Sequence, residues 1–165
     1  MKNDSGCSLA EGFSVWEKAW AQVSFWVMGI AGTVGILLAN WIFVFPYLVV
    51  YWYGIPGVIM RHTNCPRCPH LHEFGDCLQA PVALTRFLVK ERKDIPFTGV
   101  ERVLFLSIFT LIPTYPVFWL LPRPALLITF LIGSGMWYGG QFFRFCRRCR
   151  VSACPFNRAP TARPA

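Results

Sequence analysis

Residues 20 to 60 carry no Asp, Glu, Lys, Arg or His, and neither do residues 103 to 121 or 125 to 143. This constrains the fold more than any other feature. Stretches without ionisable side chains lack the charged stripe that a soluble amphipathic helix turns to water. About 20 predominantly apolar residues cross the hydrocarbon region of a bilayer, and the two later stretches have that size. The whole chain agrees. It is 55% hydrophobic and 15% charged, against roughly a quarter charged in ordinary soluble domains. The expected fold class is all-α, a polytopic membrane protein.

The first stretch is too long for a single upright crossing. It reads either as two spans with a turn near Asn40 or as one long tilted helix. An internal comparison favours two. Trp52-Tyr53-Gly54 precedes Arg61 and Cys65-Pro-Arg-Cys68, while Trp137-Tyr138-Gly139 precedes Arg144 and Cys146-Arg-Arg-Cys149. At that offset residue 39 falls opposite Pro124, in the turn Leu121-Pro-Arg-Pro124. Four transmembrane helices in two hairpins are expected, with three spans as the alternative. Ser14-Val-Trp-Glu17 and Thr98-Gly-Val-Glu101 fit the capping box, so helices should start at both. The chain then divides into a tail (1–19), hairpin 1 (20–60), a loop (61–101), hairpin 2 (102–143) and a second tail (144–165). No cleavable signal peptide is expected: the first residues are polar, and the apolar run that follows is too long for an h-region.

Six of the seven cysteines fall in the loop and the second tail. The loop holds Cys65, Cys68 and Cys77 with His70 and His72 between them; the tail holds Cys146, Cys149 and Cys154. A Cys-x-x-Cys step chelates one soft metal ion or forms a redox disulfide. Zinc is satisfied by four thiolates or by three thiolates and an imidazole, so Cys65, Cys68, Cys77 and either His70 or His72 would suffice. Iron–sulfur clusters take cysteines in similar spacing, with Pro after one ligand, as at Cys154-Pro155. Neither window contains a complete four-cysteine run, so a cluster needs ligands from both or a fourth ligand of another kind. Zinc and iron–sulfur both remain open. The plain alternative is acylation of juxtamembrane thiols, which explains two similar Cys-x-Arg-Cys windows poorly. Cys7 is given no role.

Hairpin 2 leaves from the loop and returns, so both cysteine windows should share one side of the membrane. Arg61, Arg67, Arg86, Lys90, Arg92 and Lys93 stand in the loop, and Arg144, Arg147, Arg148, Arg150, Arg158 and Arg163 in the tail; the opposite turn has only Arg123. Lys and Arg collect on the cytoplasmic side, which places the cysteines there. Cytosolic thiols stay reduced, so metal binding explains them better than structural disulfides. The formal charge of +8 is accounted for by topology and anionic lipid; no nucleic-acid motif accompanies it. Leu84, Phe87 and Leu88 opposite Arg86, Lys90 and Lys93 suggest a short interfacial helix.

The spans lack the His, acidic and basic residues of haem ligation, proton relays and ion pathways. Ala31, Gly35 and Ala39, and likewise Gly135 and Gly139, are spaced for close helix packing, within the chain or with a partner. The function expected is that of a small, non-catalytic membrane subunit of a larger complex. It would carry a cytoplasmic cysteine-ligated metal site, zinc or iron–sulfur, and serve in electron transfer or anchoring. The alternative is a membrane thiol–disulfide oxidoreductase or a soft-metal trafficking protein. No small-molecule substrate is identified.

Overall fold

The computed structural model describes the backbone of residues 12–92, 95–149, 151 and 154–157, with side chains at all of these but 52, 56, 57 and 60. Cys7, Lys93, Arg150, Arg158 and Arg163, all weighed above, lie outside the described residues. Among the described residues every regular element is a helix, and there are no strands. Helix α1 (Val15–Ala39) starts where expected. The Ser14 hydroxyl accepts from Glu17 N, and the Glu17 carboxylate accepts from Ser14 N. Helix α5 (Gly99–Leu120) repeats the box with Thr98 and Glu101. Asn40 ends α1: its amide reaches Ile36 O, and its side-chain oxygen accepts from Ile42 N at 3.1 Å, which starts the next turn.

The return from Asn40 differs from the regular helix expected. A 3-10 turn (Trp41–Phe43) leads into a short α2 (Val44–Leu48), which widens into a π-helical stretch over Val49–Thr63. Pro46 and Pro56 have no amide to give to an α-helical ladder, and local widening is a common accommodation. Helix α6 (Pro124–Gly139) likewise widens over Gly140–Phe145 before the short α7 (Cys146–Arg148). Two further short helices lie between, α3 (Pro69–His72) and α4 (Val82–Leu88).

Among the described residues three helices are long and apolar enough to cross a membrane: Val15–Ala39, Gly99–Leu120 and the continuous Pro124–Arg148; the apolar segment Trp41–Ile55 is shorter. Their outward surfaces are apolar, with Trp26, Ile30, Leu37, Phe118, Ile128 and Leu131 exposed. In water such a surface would be a large association-prone patch; against lipid it is ordinary. Between the helices Met28, Ile36, Tyr47, Tyr51, Ile112, Leu120 and Phe130 are fully buried in one core.

The two returning segments each place a tyrosine alike, although in the first it is Tyr51 and not the Tyr53 that the sequence set opposite Tyr138. Tyr51 donates its hydroxyl to Phe25 O, and Tyr138 donates to Phe109 O at 2.6 Å. The phenol stacks or abuts the phenylalanine ring at 4.7 Å in both cases. One turn beyond each accepting carbonyl stands a residue that admits the phenol. Gly29 leaves room where a Cβ would strike Tyr51, and Pro113 lacks the amide that would otherwise occupy Phe109 O. A neighbouring hydroxyl satisfying a proline-freed carbonyl is what lets such a helix persist in an apolar medium.

At one end of the bundle Arg123 donates to Leu38 O at 2.7 Å and Tyr115 to Phe43 O at 2.9 Å. At the other end Glu17 receives Arg144 at 2.8 Å and Arg148 at 2.9 Å. There too Asp76 accepts from Phe13 N at 2.6 Å and pairs with Lys18. The start of α1, the middle loop and the cysteine-bearing tail therefore meet at one end.

The packing of small residues is also resolved. Ala31 and Gly35 face the interior, where Gly35 meets Leu120, whereas a Cβ at Gly135 or Gly139 would meet nothing within 4 Å.

Candidate metal centre

The first Cys-x-x-Cys sits on a 3-10 turn, Cys65–Arg67, closed by Cys68 N donating to Cys65 O at 3.2 Å. Pro69 then opens α3, its fixed φ being suited to a first helical position. That tight reversal sets the amides of Leu71 and His70 where they oppose the rise that burial imposes on the Cys68 thiol. In the tail, Val151 N donates to Cys149 Sγ at 3.5 Å, and Asn157 N donates to Cys154 O at 3.0 Å. Amide donors to sulfur favour the thiolate, and they are the outer partners that orient metal-bound thiolates.

Each window is clamped by an arginine from within its own motif. Arg67, buried, donates to Ile95 O, His62 O, Thr63 O and Pro96 O and pairs with Glu101 at 2.9 Å. Its guanidinium lies 4.6 Å from the centre of the Phe97 ring. Arg148, at the matching place in the second motif, pairs with Glu17. Thus the arginine of each Cys-x-Arg-Cys binds the capping glutamate of the other half of the chain.

The result is a cavity of about 210 Å³ at this end of the helices. All six expected cysteines line it, Cys65, Cys68 and Cys77 from the loop and Cys146, Cys149 and Cys154 from the tail. Its walls are otherwise apolar, including Ile59, Phe105, Phe109 and Trp137, with Gln141 among the few polar members. Cys68 lies within electrostatic reach of Cys77 and Cys149, Cys65 of Cys68 and Cys77, and Cys149 of Cys154. The thiols face a shared space without having closed on it. Among the described residues no group of three Cys, His, Asp or Glu side chains is poised to hold a metal ion.

The two histidines part company. His70 is buried, lines the cavity and packs its ring 4.9 Å from Phe13. His72 turns away, with Nε2 3.0 Å from Cys65 O. Two residues apart on a helix means nearly opposite faces. His62 is exposed. Sequence reasoning missed Asn157, whose side chain donates to Cys149 O at 3.3 Å and Val151 O at 2.8 Å. It also missed Phe156, which packs 4.9 Å from Phe109 and folds the tail under the bundle. The Asn two residues after Cys154-Pro155 was a turn signal that could have pointed to this. Helix α4 exposes Leu84, Phe87 and Leu88, as an interfacial helix would, but Arg86 donates to Leu71 O and His72 O. It ties α4 to α3 as well as presenting charge.

Burial pushes the Cys65 thiol far up, and neighbouring Cys68 and Cys77 add to this. Burial pushes Cys68 and Cys149 up to about 11, their amide partners offsetting only part of it. Burial also raises Cys154. A bound cation reverses this balance, because metal ligation deprotonates a thiol outright. The donor set of soft thiols in a largely apolar recess suits zinc or iron–sulfur.

Asp76 closes the site on the α1 side. Desolvation disfavours its charge, but Lys18 and the Phe13 and Cys77 amides outweigh this and hold the carboxyl below the usual range. A depressed folded-state value stabilises above the unfolded value and is lost as pH falls through the folded one. Protection from hydrogen exchange at residues 13–18, relative to the free-peptide rate at each pH, should therefore hold at neutral pH and fall only below about pH 4. Asp76→Ala should lower that protection at neutral pH by about fivefold at most, a cost of no more than about 1 kcal/mol because the pair is partly exposed.

Compared with known protein families, curated proteins and solved structures, the chain matches none.

Proposed function

We propose that this chain is a small multi-pass membrane subunit. Its two cysteine windows form one metal centre, zinc or iron–sulfur, at the cytoplasmic surface. The single observation carrying this reading is that six cysteines, far apart in sequence, line one cavity. With iron–sulfur the subunit passes electrons between a soluble partner and the membrane; with zinc it is a rigid anchor for that partner. The thiol–disulfide alternative draws less support. Reactive thiols need a depressed pKa, whereas burial raises Cys65, Cys68 and Cys149.

Four crossings fit the chain course. Residues 13–18 contact Asp76 and Arg148, so an even number of crossings separates the three. The irregular segment over residues 41–63 is then the fourth crossing, beside three regular helices. Exposed Arg61, Lys90, Arg92 and Arg147 at the cysteine end fit a cytoplasmic face on anionic lipid.

Reporters at residues 80 and 160 should both read cytoplasmic, and one at residue 122 should read opposite. Opposite readings at 80 and 160 would refute the topology. Replacing Cys65 and Cys68 together should lower metal content; an unchanged content would remove the first window from the site.

A further inference from the structure

The two halves of the chain are built alike around the cavity. Each has a helix started by a hydroxyl–glutamate box, a returning segment that widens into a π-helical stretch, a Cys-x-Arg-Cys and a third cysteine. Each has a tyrosine hydroxyl on the matching helix carbonyl. The arginine–glutamate pairs are exchanged reciprocally, Arg67 with Glu101 and Arg148 with Glu17. The cysteines therefore form three equivalent pairs, Cys65 with Cys146, Cys68 with Cys149, and Cys77 with Cys154, and all six line the space between the halves.

A centre lying between like halves draws its ligands in like pairs. One tetrahedral ion would use two pairs and leave the third idle in the same cavity. Two tetrahedral ions that share two bridging thiolates use all three. All six thiols line the one cavity.

We propose that the cavity takes two divalent soft-metal ions of the zinc class, held by all six cysteines with one like pair as bridging ligands. The other two pairs complete the two ions. This rests on the reading of the cavity as a metal centre. Loading removes one proton from each of the six thiols and releases it to solvent, leaving a dianionic centre. The Val151 amide already donates to the Cys149 sulfur. His70 packs beside it against Phe13 without ligating. The side chains rotate inward on loading, since they have not converged beforehand.

The test is an anaerobic titration of full-length, detergent-solubilised, metal-stripped protein with cobalt(II). Charge-transfer absorption should rise linearly to two equivalents per chain. The paramagnetic signal should grow through the first equivalent and fall through the second, as thiolate bridges couple the ions. His70→Ala should bind the same two equivalents. Saturation at one equivalent with an uncoupled signal would overturn the paired centre and keep the metal reading. So would equimolar iron and sulfide in protein as isolated. No cobalt–thiolate absorption at all would overturn both.

Discussion

Arg67→Ala is expected to destabilise the cysteine end by about 3–5 kcal/mol, the usual cost of removing one partner of a buried ion pair. The Arg67 side chain is only 4% exposed and Glu101 15%. Truncation leaves Glu101 with Arg92, at 3.4 Å and half in water, and strands the His62, Thr63, Ile95 and Pro96 carbonyls that Arg67 gathers. Those carbonyls flank the first knuckle on both sides, so the loop should loosen where the thiols are held. Arg67→Lys restores the charge without the planar fork, and should recover only part of the loss. Arg92→Ala should cost less than about 1 kcal/mol. Thermal unfolding in detergent, followed with metal content, reads all three; equal midpoints for wild type and Arg67→Ala would contradict the clamp.

Gly133→Leu should be the most damaging change within the bundle. A Cβ at Gly133 would lie 2.9 Å from Met28 N and 3.3 Å from Met28 Cα. Backbone cannot rotate aside, so α6 must move off α1. Overpacking costs about 1–3 kcal/mol, and an obstacle made of main chain belongs at the upper end. Gly35 looks tighter still, but it meets the end of the Leu120 side chain, which has other rotamers. Gly35→Ala should therefore cost less than Gly133→Ala. Gly135→Ala meets open space and should be neutral or slightly stabilising, because Ala favours helix over Gly by about 1 kcal/mol. A ranking with Gly135 worst would contradict the packing.

What the sequence disclosed was what short-range chemistry determines. Both capping boxes, the stop at Asn40 and the turn before Pro124 depend on neighbours within a few residues, and all appear as expected. Apolar length led to four expected spans, and among the described residues three helices are long and apolar enough to cross a membrane. The π-helical return over Val49–Thr63 was not legible, because hydropathy does not register how Pro46 and Pro56 disturb the ladder.

The same limit holds at the site. Spacing named the six cysteines, and the fold brings them to one cavity. It did not separate His70 from His72, which requires knowing how α3 is turned. Glu17 and Glu101 were visible as caps, and Arg67 and Arg148 as topological charges. Their pairing across the two halves depends on contacts far apart in sequence. Phe156 and Asn157 read as tail residues, yet they fold the third tail cysteine under the helices.

The most direct test of the metal centre is the metal and acid-labile sulfide content of anaerobically purified protein in detergent, with its visible spectrum. A soft metal in at least stoichiometric amount is expected, with the cysteines protected from alkylation until it is removed. Zinc without colour identifies a structural centre, and iron with matching sulfide an electron carrier. Protein free of metal, with six cysteines open to alkylation, would contradict the account.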